Sequence, residues 1–276
     1  MSKLTKALTA AAGNAGGDNL YVEDVFSTYL YTGNNTGTNT QNIVNGIDLA
    51  GEGGAVWIKT RNVAWNHGIW DTETDGGNLY TNTTDAQQSN DDLASFNSDG
   101  FGVSSAVGTG WYNYNNQPQA SWTFRKAEKF FDVVTYTGNG TTQTLNHNIN
   151  GDVGCIIMKR LDNGGSWYVW HKEFESLYAF PAYLRLNTTN SATGDGVDFI
   201  TNVTSNSFDV GPGYSWNQSG ASYVVYVFAS DAGGFGDDGS ESIIKCGSFQ
   251  NNGTPVDLGW EPQFLIIKPY STASSW

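Results

Sequence analysis

The chain has little of the chemistry that staples small secreted domains or ligates metals. Its 276 residues include two cysteines, six prolines and three histidines, and only 14% of them are charged. Two cysteines are too few for a disulfide framework, and the three histidines lie too far apart to show metal-ligand spacing. Cys155 and Cys246 stand where other copies of a repeated pattern carry small or apolar residues, so we expect buried free thiols.

Motifs of common catalytic and binding sites are also missing. The sequence has no Gly-x-Ser-x-Gly elbow, no His-Glu-x-x-His, no P-loop and no Cys-x-x-Cys. No apolar run is long enough to span a membrane. The net charge of -14 argues against a partner that is bound through its phosphates, because such binding needs clustered Lys and Arg. We therefore expect no nucleic acid, no membrane, no metal ion and no cofactor.

What the chain does contain is a β pattern that restarts. Its landmarks are two aromatic residues and a glycine, and the second set follows the first at an offset of 105 residues: Phe26, Tyr31 and Gly33, then Phe131, Tyr136 and Gly138. A third version begins around Cys246. A chain that repeats its own pattern in this way is typical of a tandem array.

Each copy continues into an apolar strand that ends in lysine. The three strands are Ala55–Lys59, Cys155–Lys159 and Phe264–Lys268. In the first two copies a tryptophan-bearing strand follows, with Trp70 matching Trp170, and the third copy reaches Trp276, which matches Trp167. The third copy thus holds about the first third of a repeat, and we expect the sequence to be the front part of a longer protein.

The composition predicts an all-β fold. Short runs of Val, Ile, Tyr, Phe and Trp alternate with Gly, Asn, Asp and Ser clusters about every 8 to 12 residues, as in sandwiches and barrels. We predict an anchor and glycine-rich joint at residues 1–19, repeats with their own cores at 20–126 and 127–231, and a linker with an incomplete third repeat at 232–276.

The first dozen residues have helical spacing. Leu4, Leu8 and Ala12 fall on one helical face, and Gly13 can end the helix. So short a helix is marginal in isolation. The segment is therefore either a frayed terminus or an anchor that docks on a larger assembly.

Carboxylates at a spacing of two residues raise the possibility of a glycosidase. Asp71, Glu73 and Asp75 are predicted to share one strand face, and Glu173 and Glu175 repeat part of the pattern. Retaining glycosidases need two carboxyl groups about 5 to 5.5 Å apart. Glucanases of the concanavalin A-like fold use the order Glu-x-Asp-x-Glu, whereas here the long and short side chains are exchanged. We therefore assign no catalytic residue and expect a solvated strand end.

One loop in each copy combines large aromatic side chains with Asn and Gln. The candidate ligand-binding residues are Trp111, Tyr112 and Tyr114 in the first copy and Tyr214 and Trp216 in the second. Aromatic rings stack on the C–H faces of sugars while amides bind hydroxyl groups, and loops on a rigid scaffold commonly carry recognition. The alternative is that these rings cap the sandwich end or pack against a neighbouring unit.

Several segments resemble the repeats of tail-fibre and related virion structural proteins of marine tailed phages, especially cyanophages. The resemblance covers almost the whole chain and is carried by Lys3–Ala10, Leu20–Tyr31, Gly46–Gly54, Phe130–Gly140 and Glu241–Ser248. It implies tandem antiparallel sandwiches of the jelly-roll or concanavalin A-like type, a location in the virion tail outside the host cell, and homo-oligomers, usually trimers. It supplies no catalytic residues.

The function expected from this resemblance is multivalent attachment to host-surface polysaccharide. Residues 1–19 would dock on other virion proteins, and the sandwiches would project outward. Two alternatives stay open, namely a glycan-degrading tail enzyme and a capsid-decorating or tail-scaffold protein without a ligand.

Overall fold

The computed structural model describes most of the chain, namely residues 19–35, 40–89, 92–104, 111–178, 181–194 and 198–276. Regular structure in these residues is almost entirely β, apart from a 3₁₀ turn at Trp111–Asn113 and two one-turn helices, α1 (Val22–Val25) and α2 (Phe174–Leu177). The all-β prediction is confirmed. The predicted N-terminal helix lies outside the described residues.

Eight strands form the first half of the chain, which we call module 1. They are β1 (Phe26–Thr32), β2 (Gln41–Val44), β3 (Gly54–Thr60), β4 (Gly68–Asp71), β5 (Leu79–Tyr80), β6 (Leu93–Asn97), β7 (Gly100–Val103) and β8 (Pro118–Arg125). A five-stranded sheet has the order β1-β8-β3-β4-β5, and a three-stranded sheet has the order β2-β7-β6. Every pairing is antiparallel.

The second half, module 2, has the same arrangement. Its strands are β9 (Phe131–Thr137), β10 (Gln143–Asn146), β11 (Val153–Arg160), β12 (Tyr168–His171), β13 (Ala182–Arg185), β14 (Thr193–Gly194), β15 (Ile200–Thr201), β16 (Ser207–Val210) and β17 (Ser222–Ala229). The large sheet runs β14-β13-β12-β11-β17-β9 and the small sheet β10-β16-β15. Apart from the added edge strand β14, the strand order is that of module 1.

Each module buries an apolar core between its large and small sheets. In module 1 the small sheet contributes Ile43 and Phe101, which meet Val56 and Trp70 of the large sheet. In module 2 the corresponding cluster joins both sheets in the same way. A sandwich built in this way explains why a unit of roughly 105 residues can support its own core.

A third apolar cluster joins the two modules. Along β3, Val56 faces the core of module 1 whereas Ala55 belongs to the cluster between the modules. Along β11, Ile156 faces the core of module 2 whereas Ile157 belongs to the shared cluster. Because successive side chains of a strand point to opposite faces, the two large sheets are covered on both sides. Each module therefore has its own core, as expected, and the two large sheets also enclose a shared core that was not expected.

Buried polar groups also cross between the modules. The Tyr226 hydroxyl donates to Asp71 Oδ2 at 2.7 Å. Burial raises the pKa of Asp71, and the bond from Tyr226 acts in the opposite direction. The fully buried Lys159 ammonium donates to the carbonyl oxygens of Gly165 at 2.9 Å and of Thr84 at 3.4 Å. Burial lowers the pKa of Lys159 to about 8.

Residues 232–276 are all described and contain no helix or strand. The sequence predicted a strand at Phe264–Lys268, and this prediction is wrong. In the modules the equivalent strands lie between two partners, β4 and β8 around β3 and β12 and β17 around β11. No such partners are formed within 232–276, so the backbone there has no ladder to join. The segment instead lies on the modules, with the Phe264 ring centroid 5.3 Å from that of Trp122.

Candidate functional site

The five aromatic residues predicted to bind a ligand separate into an exposed and a buried group. Trp111, Tyr114 and Tyr214 expose 41%, 53% and 74% of their surface, whereas Tyr112 and Trp216 expose 1% and 6%. Tyr112 belongs to the core of module 1 and Trp216 to the core of module 2. These two are corrected from candidate ligand-binding residues to core residues, because their rings fill the sandwich interior.

A buried asparagine next to each core ring fixes the loop. Asn113 Oδ1 accepts a hydrogen bond from the backbone N–H of Asn34 at 2.9 Å, and Asn217 Oδ1 accepts one from Asn139 at 3.0 Å. Both asparagines are fully buried. The pairs Tyr112–Asn113 and Trp216–Asn217 therefore occupy equivalent places, and the residues that flank them are the ones that reach the surface.

In module 1 the flanking residues meet a third aromatic side chain, Trp65. Its ring centroid lies 5.4 Å from that of Trp111 and 5.5 Å from that of Tyr114. We call these three residues the aromatic edge. Trp65 was not among the predicted residues, although one signal pointed to it: the equivalent position of module 2 holds Gly165, so this tryptophan is not required by the repeated fold.

The core of module 1 holds the aromatic edge in place. The Tyr112 hydroxyl donates to the carbonyl oxygen of Asn66 at 3.0 Å, next to Trp65. Asn82 Nδ2 donates to Asn66 Oδ1 at 2.9 Å, and Asn82 Oδ1 accepts from the His67 backbone at 2.9 Å. The two loops that carry the edge are thus tied to one buried ring, which preorganises the surface rings.

Asn66 and Asn82 place neutral amides beside the edge. Burial, with a smaller contribution from Lys59, lowers the pKa of His67, which favours the neutral imidazole. The Lys59 ammonium is engaged by the carbonyl oxygens of Thr60 at 2.7 Å and Val63 at 2.8 Å. Exposed flat rings beside neutral amides are suited to an uncharged polyhydroxyl ligand.

Module 2 has a different surface at the equivalent place. Ser215 and Gln218 stand where module 1 has Trp111 and Tyr114, as the matched asparagines show. Gln218 Oε1 accepts from Arg160 Nη1 at 2.5 Å, and Arg160 Nε pairs with Asp162 Oδ1 at 2.7 Å. The Arg160 guanidinium also lies 6.0 Å from the Tyr214 ring. This surface is an ion-paired network with one exposed ring.

The carboxylates considered for glycosidase chemistry do not share a strand face. β4 ends at Asp71, and the residues that follow it form a turn. Asp71 is buried against Tyr226, whereas Glu73 pairs with Lys126 at 2.8 Å. In module 2 the counterpart residues leave the strand at His171 and enter α2. The predicted strand-face arrangement is wrong because β4 ends at its first carboxylate, Asp71, and β12 ends before both Glu173 and Glu175.

The cysteines are free, and both side chains are partly buried. Burial raises the pKa of Cys155 and raises that of Cys246 to about 12, so both are protonated thiols at neutral pH. Among the described residues, no group of three or more His, Cys, Asp or Glu side chains is arranged to hold a metal ion. No helix in the described part of the chain has the length and hydropathy to span a membrane.

Comparison with protein families gives a match over most of the chain. Residues 22–276 match the family described as a domain of unknown function (DUF7483), so the match includes both modules and the segment that follows them. Neither the curated proteins nor the solved structures contain a match.

Proposed function

The chain belongs to the DUF7483 family, and we propose that it is a phage virion structural protein that attaches to host-surface polysaccharide through the aromatic edge of module 1. The observation that supports this most is the clustering of Trp65, Trp111 and Tyr114 on a surface held by buried Tyr112. Rings arranged before binding lose little conformational entropy when a sugar stacks on them.

The mechanism is stacking supplemented by hydrogen bonds. Each exposed ring offers an apolar face to the C–H groups of a pyranose, and the neighbouring amides of Asn66 and Asn82 are suited to hydroxyl groups. A single site of this kind is weak. Several copies in an oligomer, which we propose is a trimer, raise the avidity by about 10²- to 10⁴-fold without new contacts.

The binding proposal is tested on a glycan array with the full chain. We expect binding to uncharged or weakly charged polysaccharide, and a loss of about tenfold in affinity for Trp111→Ala, which corresponds to about 1.4 kcal/mol. Tyr214→Ala is the matched control, because it removes an exposed ring from the equivalent region of module 2. Equal loss in both variants, or no binding by the wild type, would contradict the proposal.

The virion location is supported by the resemblance to phage tail-fibre repeats and needs its own experiment. Antibodies raised against the full chain are expected to label the tail of the particle in electron micrographs. Label confined to the capsid would instead favour the capsid-decorating alternative.

A further inference from the structure

Module 2 docks on module 1 through a strand end and the loop that follows it. We call the stretch 159–167 the docking side of this contact and the stretch 80–88 the receiving side. Three bonds define the contact: Trp167 Nε1 to the Tyr80 carbonyl oxygen at 3.0 Å, Gly165 N to the Thr84 oxygen at 2.7 Å, and Gln87 N to the Leu161 oxygen at 2.9 Å.

Residues 268–276 make the same contact on module 2. The corresponding bonds are Trp276 Nε1 to the Arg185 carbonyl oxygen at 2.8 Å, Ser274 N to the Thr189 oxygen at 2.7 Å, and Ala192 N to the Tyr270 oxygen at 2.8 Å. All positions on the docking side are offset by 109 residues from those of the first contact, and all positions on the receiving side by 105. One set of hydrogen bonds is therefore used twice.

The lysine before each docking loop repeats as well. Lys159 Nζ donates to the carbonyl oxygens of Gly165 and Thr84, and Lys268 Nζ donates to those of Ser274 and Thr188. In each case one acceptor lies six residues downstream and the other lies on the preceding unit. The docking element thus has the form Lys, five residues, Gly or Ser, one residue, Trp.

The same segment also contacts module 1. Phe264 packs against Trp57 and Trp122 with ring centroids 6.2 and 5.3 Å away, and Thr28 Oγ1 donates to the Gln263 carbonyl oxygen at 3.3 Å. Each of the three units therefore touches the other two around the shared aromatic core. Such contacts indicate a closed ring, because in a row the third unit would touch only the second.

Two exposed side chains of the segment match core positions of module 2. Leu265 and Ile267 stand at the positions of Ile156 and Met158, which face the core of module 2. Ile156 and Met158 expose 0% and 1% of their surface, whereas Leu265 and Ile267 expose 59% and 51%. Leu265 and Ile267 are therefore apolar side chains at core positions that the described residues leave uncovered.

We propose that residues 241–276 take the third place in a ring of three like units through the docking element, and that they form part of a third β-sandwich there. The partner that fits is a set of strands like those of residues 168–231 of module 2, which would enclose Leu265 and Ile267 in a sandwich core. Module 1 departs from the docking pattern, because Trp65 and His67 stand at the positions of Gly165 and Trp167. Its equivalent loop therefore carries part of the aromatic edge instead of a docking element.

The docking contact is tested in the full chain by hydrogen exchange. In Trp276→Ala we expect the amides of Ala192 and Ser274 to exchange at least tenfold faster, while those of Gln87 and Gly165 keep their rates. The milder Lys268→Met should give the same pattern with a smaller increase. Trp260→Ala, which alters an exposed residue of the same segment, serves as the control. Unchanged rates in both docking variants would overturn the proposal.

The third place is tested by extending the full chain with a second copy of residues 168–231 after Trp276. A ring predicts a compact particle with a radius of gyration of about 20 Å in X-ray scattering. It also predicts that the backbone amides of Leu265 and Ile267 exchange their hydrogens more slowly than in the chain without the extension. A clearly larger radius of gyration, with the third sandwich folded but not docked on module 1, would show that the units form a row. This result would contradict the ring. Because neither readout involves a glycan, failure here is distinct from failure of the binding proposal.

Discussion

The two modules share one strand order and differ on one surface. Where module 1 exposes Trp111 and Tyr114 beside Trp65, module 2 has Ser215 and Gln218 beside Gly165, with an Arg160 network nearby. The buried positions between the flanking residues keep the same roles in both modules. The loop thus has a central pair of buried residues that is the same in role in both modules, and flanking residues that differ. A function specific to one module is therefore expected at the flanking residues.

The largest effect is expected at the structural centre of the loop. Tyr112→Ala and Trp216→Ala each leave a cavity in a core and should lower the free energy of unfolding by about 3 to 5 kcal/mol. Trp111→Ala and Tyr214→Ala remove exposed rings and should cost less than about 1 kcal/mol. Chemical denaturation of the four variants measures the difference. If Tyr112→Ala were as mild as Trp111→Ala, the two positions would not have the separate roles assigned to them.

The second-largest effect on stability is expected at a side-chain contact that has no equivalent elsewhere in the described parts of the two modules. The Tyr226 hydroxyl binds the buried Asp71 carboxyl group of the other module, and the positions equivalent to these two residues hold Trp122 and His171. Tyr226→Phe leaves a buried acceptor without this donor and should cost about 2 to 3 kcal/mol. Asp71→Asn in the Tyr226→Phe background should recover part of the loss, since it replaces a carboxyl group whose charged form is disfavoured by burial. A double-mutant cycle in denaturant checks both, and additive effects would contradict a direct coupling.

The smallest effect is a pH dependence of stability that arises from two equivalent lysines with different degrees of burial. Lys159 is fully buried, and its pKa is lowered to about 8 in the folded chain, whereas Lys59 is half-buried. Between this value and the ordinary lysine pKa the unfolded chain binds more protons, so the stability contributed by Lys159 rises with pH. From pH 7.5 to 9.5 we expect the wild type to gain about 1 to 2 kcal/mol relative to Lys159→Met.

The control for this prediction is Lys59→Met, for which the same pH range should give a smaller difference from the wild type. Both series are measured by denaturant unfolding at each pH. A difference that stayed flat with pH for Lys159→Met would mean that this lysine keeps an ordinary pKa in the folded chain.

Short-range patterns in the sequence predicted much of the fold. The turns and apolar strands around Lys59 and Lys159 are local signals, and such signals predicted several strands of each module along the chain but not how the strands pair in sheets. The runs Ala55–Ile58 and Cys155–Met158 lack alternation, which is typical of strands buried on both faces. They do not reveal what covers the second face, so the shared core and the contact between Asp71 and Tyr226 could be found only from the coordinates.

The candidate site was predictable only in part for a related reason. Composition indicates an aromatic loop, but it does not tell which rings are buried and which are exposed. Trp111 and Tyr112 are adjacent in the sequence, yet the first lies on the surface and the second in the core. Trp65 joins the edge from a different loop. Its contribution depends on the tie between Tyr112 and Asn66, a contact between residues far apart in the sequence.

The most direct test of the account follows the tryptophans themselves. The chain has ten, and fluorine NMR of the full chain containing 5-fluorotryptophan separates them, with assignments from single replacements. On titration with host-envelope polysaccharide we predict that the resonances of Trp65 and Trp111 shift together, while that of the buried Trp216 does not move. Shifts confined to other tryptophans would contradict the claim that the aromatic edge of module 1 is the binding surface.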